Sequence, residues 1–289
     1  MKFTSKMYWL HCLSPLHVGA GEGGSYIDNP IMREKVTGWP FVPGSSVKGV
    51  LRDEAEKKKL ADIDKAFGKA SDDGSSAGIL AFSDAHLICL PVRSVYGTFA
   101  WVTAPIVLKR LQRDWPLLAQ HQFDKWDGEE NIYPAKPSVL YSEENARKIF
   151  LEDLDLNVAQ EDKDAATKLA TCLAKAIWPK DDVWQKLFQE RFTVVSDNVF
   201  NFLTKTATQI DTRVRIESNT KTVVPGALWT EEYLPTETIL AGVVWQDDRF
   251  AEKQDAKKLL DDFCTKEQHL FLGGNITVGR GQIRCRFGG

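Results

Sequence analysis

The chain has 289 residues, of which 43% are hydrophobic and 27% charged, and its formal net charge is −3. This is an ordinary globular composition, long enough for one large domain or two small ones. The net charge does not by itself indicate a nucleic-acid-binding protein, because such binding depends on where the cations lie. No apolar run reaches the roughly 18 residues of a membrane span, so we expect no membrane partner.

Five cysteines are scattered along the chain and form no C-x-x-C pair. This spacing excludes a zinc ribbon and a thioredoxin-type redox site. The odd number of cysteines and the absence of a secretory signal pattern predict reduced thiols and a cytoplasmic location.

The first predicted element is a strand over Lys6–Leu13, which is rich in aromatic and apolar residues. The glycines of segment 19–24 follow it and match the pattern G-x-G-x-x-G. In a dinucleotide-binding fold a helix begins directly after this pattern. Here Pro30 disfavours a helical Asn29, so we reject the dinucleotide interpretation. The glycines alone fit a flexible hairpin loop about as well as a functional loop.

Asp28 is an isolated acid between Ile27 and the Asn29-Pro30 pair. One interpretation is an Asx turn that leads into the proline. The other is a functional carboxylate, with His17 one loop earlier and Arg33 just beyond it. The residues alone leave these two interpretations evenly matched.

A helix is predicted from Ser45 to about Lys59, with Ser45 as its N-cap. Lys48 and Arg52 are four residues apart and therefore share one side of this helix. Free N–H groups, the helix dipole and the two cations together favour a phosphate site. The alternative is that the cations only pair with solvent or with Glu56.

The middle of the chain alternates predicted strands and helices. Strands are predicted over 79–82 and 87–95, and helices over 104–115, 161–177 and 181–192. Residues 61–77 are predicted to form a loop, and residues 116–141 an inserted loop region without periodicity. Residues 199–203 suggest a strand or a short helix.

The last third contains two candidate basic surfaces. In the polar segment 204–222, Arg213 and Arg215 alternate with apolar β-branched residues, which predicts a projecting hairpin with a basic face. Strands over 227–234 and 238–245 are expected to pair, and a helix is predicted over 251–264. In the C-terminal glycine loop 273–281, Gly274 and Gly279 would let the backbone approach a phosphate, with Arg280 aimed at it. A simple hairpin turn is the alternative there.

Several segments together resemble one family, in the family's order. They are Leu16–Gly19, Ile27–Glu34, Pro43–Arg52, Arg213–Ile216 with Gly226–Trp229, and Gly273–Gly281. The combination resembles the RAMP superfamily of CRISPR effector proteins over nearly the whole chain. The closest resemblance is to the repeated backbone subunits of type III-B (Cmr) complexes.

The resemblance implies an α+β fold, with a single RAMP domain over 1–289. This domain would have a ferredoxin-like, RRM-related palm, an inserted region at about 112–164 and a β-hairpin thumb at about 195–226. Copies of the chain would stack in a helical row on a guide CRISPR RNA, together with other Cmr-complex subunits. As an endoribonuclease, the row would cleave complementary target single-stranded RNA at regular intervals.

The resemblance also implies a set of site residues. The family's cleavage aspartate falls on Asp28, within the pattern Asp-x-Pro-Ile-x-Arg-Glu, and its histidine falls on His17. Its acid and tyrosine in the second half most resemble Glu232 and Tyr233. RNA contacts are predicted at Arg33, Ser45, Lys48, Arg52, Arg213, Arg215, Gly274, Gly279 and Arg280. Asp28 is predicted to act as a base or as the ligand of a divalent metal, Mg or Mn, and His17 as an acid/base group.

Three alternatives stay open. The chain could be a RAMP protein that only binds RNA as a scaffold, or a stand-alone endoribonuclease that trims the guide precursor. A third alternative is a penicillin-interacting serine enzyme, because Ser45-x-x-Lys48 and Ser196-Asp197-Asn198 match two elements of that class. The third element of that class, Lys-Thr-Gly, is absent.

Overall fold

The structure is a computed structural model. It describes residues 4–21, 26–69, 76–123, 126, 128–142, 147–159, 164–247, 253–265 and 267–288. The helices are α1 Gly44–Lys57, α2 Ile63–Phe67, α3 Pro105–Asp114, α4 Ala165–Ile177, α5 Asp182–Arg191, α6 Asp197–Thr206 and α7 Lys253–Phe263. The strands are β1 Ser5–Cys12, β2 Phe41–Val42, β3 Gly68–Lys69, β4 Ser76–Ala77, β5 Leu80–Phe82, β6 Ala85–Arg93, β7 Phe99–Thr103, β8 Asn131–Pro134, β9 Lys148–Leu151, β10 Leu154–Val158, β11 Phe192–Val195, β12 Gln209–Ile216, β13 Val223–Tyr233, β14 Ile239–Gln246, β15 Glu267–Phe271 and β16 Gln282–Phe287.

Within the described residues, 12 strands join in one sheet. Its main path runs β15-β16-β1-β14-β6-β7-β11-β8-β10-β9, while β2 pairs with β6 and β5 pairs with β14. In the first half of this path, β1 pairs antiparallel with both β14 and β16, and β14 pairs antiparallel with β6. Parallel pairs occur in the second half, between β7 and β11 and between β8 and β10. The fold is therefore a mixed arrangement of helices and one large sheet.

Strand β1 is buried on both faces, which explains its nearly continuous apolar sequence. Because side chains alternate along a strand, Tyr8 and Leu10 enter one hydrophobic cluster while Met7 and Trp9 enter another. The cluster around Tyr8 includes residues of α1 and α7. The cluster around Trp9 includes residues of α3, α4 and α5. Helices thus cover β1 on both faces.

The segment 116–141, predicted to be an inserted loop, contributes a strand to the main sheet. Strand β8 pairs antiparallel with β11 and parallel with β10, and Ile132 is fully buried. A strand of 4 residues is too short to give a clear period in the sequence. In the predicted loop 61–77, the short elements α2, β3 and β4 flank residues 70–75, which lie outside the described residues.

Strands β12 and β13 form a hairpin that is a separate two-stranded sheet. Within the predicted range 195–226, the first part is helical, since α6 begins after its N-cap Ser196. The expected pairing of 227–234 with 238–245 is wrong, because β13 pairs with β12 whereas β14 pairs with β1, β5 and β6. Near the far end of the hairpin, apolar side chains are largely exposed, namely Val214, Ile216, Val223 and Leu228.

The long predicted helices are confirmed within a few residues as α1, α3, α4, α5 and α7. Residues 161–163 and 251–252, at two predicted helix starts, lie outside the described residues. None of the helices in the described part of the chain is long and apolar enough to cross a membrane.

Candidate active site

The segment that carries Asp28 pairs with the free edge of β13. Asn29 forms a parallel bridge with Glu231. The Asn29 N–H donates to the Thr230 carbonyl at 3.0 Å, and the Glu232 N–H donates to the Asn29 carbonyl at 3.0 Å. The other edge of β13 is occupied by β12. Residues from the beginning and the end of the chain therefore meet at residues 230–233, which we call the β13 end.

The Asp28 carboxylate is exposed and is held by Thr230. Its Oδ2 accepts hydrogen bonds from the Thr230 N–H at 2.7 Å and from the Thr230 hydroxyl at 3.0 Å. These donors, the backbone N–H first, hold the pKa of Asp28 below its usual value, so the group is ionised at neutral pH. Because Thr230 is 202 positions away, the contact is tertiary and differs from the local Asx turn that was the alternative.

His17 lies on the same β13 end. Its Nδ1 is 2.7 Å from the Glu232 backbone oxygen, and because a carbonyl only accepts, Nδ1 carries the proton. In the neutral ring, Nε2 is then the basic nitrogen. The ring packs against Tyr233 at a centroid distance of 5.5 Å. A Cβ at Gly19 would stand 2.8 Å from Nε2, so the glycine leaves this nitrogen uncovered.

Glu231 and Tyr233 form the buried centre of the site. The Tyr233 hydroxyl donates to the Glu231 carboxylate, and Asn275 Nδ2 donates to both groups, at 2.9 Å and 3.0 Å. Burial acts to raise the pKa of Glu231, but hydrogen bonds from Trp229 and Tyr233 and the charge of Arg213 outweigh it and lower this pKa. Burial raises the pKa of Tyr233, and Glu231 adds to the effect. At neutral pH the pair is therefore a carboxylate and a neutral phenol.

Two predicted RNA-binding arginines border this pair. Arg213 donates to the Glu231 carboxylate at 3.2 Å and to the Tyr233 hydroxyl at 2.9 Å. Arg280 stacks over the Tyr233 ring, 4.9 Å from its centroid, and forms an ion pair with Asp211 at 2.5 Å. Both guanidiniums are partly exposed at the rim of the site, and each is paired with an acid.

Glu232, by contrast, is buried and supports the Asp28 segment. Its side chain is 3% exposed and forms an ion pair with Arg33. It also accepts a hydrogen bond from the Ile31 N–H at 3.1 Å and from the Thr208 hydroxyl at 2.9 Å. Arg33 donates further to backbone carbonyls at 2.8 Å and 3.0 Å. These contacts give Glu232 and Arg33 a structural role and lend no support to the predictions of catalysis for one and RNA contact for the other.

Glu34, the residue after Arg33, anchors the C-terminal end of the segment that carries Asp28. Arg110 donates two hydrogen bonds to its carboxylate, at 2.9 Å and 2.7 Å. His86 and Thr37 also bind it, at 2.6 Å and 2.7 Å. Burial alone would raise the pKa of Glu34, but these partners hold it far below its usual value. Ion pairs and hydrogen bonds at Glu34 thus fix the C-terminal end of the segment that carries Asp28.

The start of α1 differs from the prediction. The helix begins at Gly44, and its N-cap residue is Pro43 rather than Ser45, which is exposed. The Gly44 N–H is bound by the Asp84 carboxylate at 2.8 Å. An acid already occupies part of the predicted anion site, which weakens the case for phosphate at the helix start. Sequence reasoning missed this cap because Asp84 is 40 positions away.

The two cations of α1 have different environments. Arg52 binds Glu56 at 2.8 Å and Asp64 at 3.0 Å, and it also donates to the Gly68 carbonyl. This matches the alternative in which Arg52 pairs with Glu56. Lys48 is half-buried, and burial followed by the charge of Arg52 lowers its pKa. Of the two, only Arg52 forms ion pairs among the described residues, so Lys48 is the cation without an acidic partner.

The C-terminal glycine loop packs directly on His17. The Gly274 N–H donates to the His17 carbonyl at 2.9 Å. Gly273 has φ +80° and lies so close to this carbonyl that a Cβ would collide with it. Gly279, with φ +81°, faces open space. Arg215 is exposed on β12. Gly274 thus belongs to the site, whereas Gly279 and Arg215 lie at surfaces around it.

The sequence reasoning missed Glu231, Thr230 and Asn275. A signal for Glu231 was present, because residues two apart on a strand share a face. Glu231 and Tyr233 therefore belong together, while Glu232 between them points to the opposite side. No local signal identifies Thr230 or Asn275, since their contacts join segments far apart in the chain.

The carboxylates of the site are the groups that could hold a divalent metal. In the part of the chain that the structure describes, no group of three or more His, Cys, Asp or Glu side chains is placed to hold an ion. Glu231 and Glu232 are neutralised by arginines, which leaves Asp28 as the available carboxylate of the site. Mg²⁺ commonly binds one or two carboxylates and completes its shell with water and substrate phosphate. The described residues offer such an ion one carboxylate, so a divalent metal stays a prediction.

The serine-enzyme alternative does not fit the geometry. The Ser196 hydroxyl caps α6 by accepting from the Val199 N–H at 3.2 Å. Asp197 accepts from the Ile106 N–H at 2.9 Å, and Asn198 donates to Glu129 at 2.7 Å. These three residues are engaged in holding helix starts and a loop, and none of their contacts reaches Ser45 or Lys48.

Comparisons with known proteins agree with this architecture. The model of the RAMP superfamily matches residues 9–284. The chain is 32% identical to the CRISPR system Cmr endoribonuclease Cmr4 of Pyrococcus furiosus, over 95% of this chain and 92% of that protein. It also matches the crystal structure of oligomeric Cmr4 from Pyrococcus furiosus, with a TM-score of 0.76 and 24% identity over 99% and 98% of the two chains. A subunit of the type III-B Cmr-beta complex bound to cognate target RNA, solved by cryo-electron microscopy, matches with a TM-score of 0.75 and 19% identity over 98% and 97%. The resemblance seen in the sequence motifs is therefore confirmed at full length, and the chain belongs to the RAMP superfamily.

Proposed function

We propose that this chain is a backbone subunit of an RNA-guided type III-B CRISPR ribonucleoprotein that cleaves complementary target single-stranded RNA at regular intervals. Its similarity to a protein named as a Cmr endoribonuclease supports this proposal. The observation that carries the catalytic part is the ionised, exposed Asp28 carboxylate. It is held by Thr230 of the β13 end, whose next three residues bind His17, Arg213 and Arg280.

The strand order supports a ferredoxin-like palm. In such a fold, two βαβ units form one antiparallel sheet with helices on one face. Here β1, α1 and β6 would form the first unit, and β14, α7 and β16 the second. The observed order β16-β1-β14-β6 and its antiparallel pairs fit this assignment. The β12–β13 hairpin, with its largely exposed apolar end, would be the thumb that separates nucleotides of the target.

Cleavage would proceed by attack of the target's own 2′-hydroxyl oxygen on the adjacent phosphorus. The P–O5′ bond would break, which leaves a 2′,3′-cyclic phosphate and a 5′-oxygen that takes up a proton. This reaction needs in-line geometry, a proton acceptor and relief of the charge that develops on the phosphate. His17 Nε2 is suited to accept the proton, because Nδ1 already donates to the Glu232 carbonyl. The lowered pKa of Asp28 makes it a weak base and favours its role as an anionic ligand. Arg213 and Arg280 would face the phosphate backbone.

A divalent ion, Mg or Mn, would be held by Asp28, and by RNA oxygens and water for its remaining ligands. When bound, such an ion supplies a positive charge next to the reacting phosphate. The protein groups that orient the site act independently of it: Tyr233 packs against the His17 ring, and Asn275 fixes the Glu231–Tyr233 pair.

RNA would also contact the positive groups that surround the site. Arg215 and Lys48 carry no ion pair among the described residues, while Arg213 and Arg280 are neutralised by Glu231 and Asp211. Phosphates would replace the acids as partners of these two arginines. We propose a guide CRISPR RNA, a target RNA, further copies of this chain in a helical row and other Cmr-complex subunits as partners.

The test is target-RNA cleavage by the reconstituted guide complex, with and without divalent metal, for the wild type, Asp28→Asn and a control. The control is Asp153→Asn, an exposed aspartate in the turn between β9 and β10. We expect regularly spaced cuts from the wild type and the control, and none from Asp28→Asn, with guide binding intact in all three. Unchanged cutting by Asp28→Asn would refute the role of Asp28. An assembled complex that makes no cuts would identify a scaffold, and cutting of repeat RNA by the isolated chain would identify a guide-trimming enzyme.

A further inference from the structure

We propose that Thr230 is the positioning residue for Asp28, so that strand β13 of the hairpin sets the orientation of the cleaving carboxylate. This inference rests on the proposed function, because it assumes that Asp28 acts on the target RNA. Thr230 itself would not touch the reacting atoms. It would act by fixing which carboxylate oxygen faces them.

The contact between the two residues is reciprocal. Asp28 Oδ2 accepts from both the N–H and the hydroxyl of Thr230, at 2.7 Å and 3.0 Å. In return, the Thr230 hydroxyl oxygen lies 3.0 Å from the Asp28 N–H, which donates to it. Both bonds from Thr230 engage Oδ2, and the Asp28 N–H adds a smaller contribution that also lowers the pKa of the carboxylate. With Oδ2 held by β13 and the side chain exposed, the carboxylate stays open to a substrate group from solvent.

The exposure of Asp28 makes this positioning necessary. An exposed side chain that lacks a partner samples several rotamers, and ordering it at the moment of reaction costs free energy. A group held in advance in its reactive orientation avoids that cost. The side chains of Arg213 and Tyr233 bind Glu231, not Asp28. Thr230 is thus the side chain that holds the carboxylate among the described residues.

The same contact links the carboxylate to the hairpin. Thr230 faces Thr212 in the β12–β13 register, and the neighbouring Asn29 is tied to β13 by two backbone hydrogen bonds of 3.0 Å. A displacement of this part of the hairpin would therefore carry the Asp28 segment with it. The orientation of the carboxylate is therefore set by the position of the hairpin.

The test uses the full chain in the reconstituted guide complex and compares Thr230→Val, Thr230→Ser and Thr212→Val. Valine keeps the shape of threonine and the backbone N–H but removes the hydroxyl. Serine restores the hydroxyl without the methyl group. Thr212→Val makes the same chemical change on the facing strand, where it leaves Asp28 untouched. Single-turnover cleavage rate and target affinity are measured for each variant.

We expect Thr230→Val to slow cleavage by about ten- to a hundredfold, the range for one hydrogen bond to a charged group, with target affinity unchanged. Thr230→Ser should recover most of the rate, and Thr212→Val should match the wild type. A Thr230→Val rate equal to that of the wild type would overturn the inference. Equal loss in Thr230→Val and Thr230→Ser, or a parallel loss of target affinity, would overturn it in favour of a general packing effect. The Asp28→Asn variant separates this inference from the catalytic role of Asp28. Full cleavage by Asp28→Asn would reject both roles, whereas loss of cleavage by Asp28→Asn with a wild-type rate for Thr230→Val would reject the positioning role alone.

Discussion

The Glu232→Ala substitution tests the assignment of Glu232 as a structural residue. The carboxylate is 3% exposed and holds the Arg33 guanidinium, which is 25% exposed. It also satisfies the Ile31 N–H and the Thr208 hydroxyl. Removing it leaves a poorly solvated cation and two donors without their acceptor. Breaking one side of such a buried pair costs about 3–5 kcal/mol.

The expected cost is large enough to measure directly. For a chain of this size, each kcal/mol shifts the unfolding midpoint by about 2 °C, so Glu232→Ala should lower Tm by roughly 6–10 °C. The assay is thermal unfolding of the purified chain, measured by calorimetry. Urea unfolding gives a second measure of stability. Glu232→Gln retains an acceptor for part of the network and should lose less.

A matched control is Glu56→Ala, which breaks the exposed i,i+4 ion pair with Arg52. Exposed pairs contribute at most about 1 kcal/mol, so this Tm should fall by no more than about 2 °C. If Glu232→Ala unfolds at the same temperature as the control, the structural assignment is refuted and a catalytic role for Glu232 regains support.

Three further predictions concern the surroundings of the site. Gly19→Ala should slow target cleavage about tenfold or more, because the added Cβ would displace His17 Nε2. The Tm of this variant should be unchanged or slightly raised. Full cleavage activity would argue against His17 as the proton acceptor. Gly273→Ala should destabilise the chain more than Gly279→Ala, because both have positive φ but only the first meets backbone; urea unfolding with equal losses would contradict this packing. Glu34→Gln should cost more stability at pH 7 than at pH 3. Because the pKa of the Glu34 carboxylate is lowered in the folded state, its contribution to stability is complete above the ordinary value of 4.5 and is lost as pH falls. If urea unfolding gives the same stability difference between Glu34→Gln and the wild type at both pH values, the ion network is contradicted.

Several local elements were predictable because their signals are local. The helix α3 over Pro105–Asp114 follows the predicted span 104–115 closely, since Pro105 favours the first helical position and the apolar face has a helical period. Strand β1 was visible as an apolar run. Strand β8 was not, because its 4 residues depend on neighbours that are distant in the chain. For the same reason, the sequence indicated Ser45 as a local cap of α1 and did not indicate that Asp84 binds the start of this helix.

The family could be recognised from the sequence, because its motifs are short and follow one another in order along the chain. The roles of Asp28, His17 and Tyr233, which the same motifs indicate, stay predictions. The fold decided which acid of the Glu231-Glu232 pair contacts Tyr233. Adjacent side chains on a strand point to opposite faces, so one carboxylate meets Tyr233 and the other meets Arg33. It also decided the orientation of Asp28, because the Thr230 donors that bind it come from 202 positions away and are brought there by strand pairing.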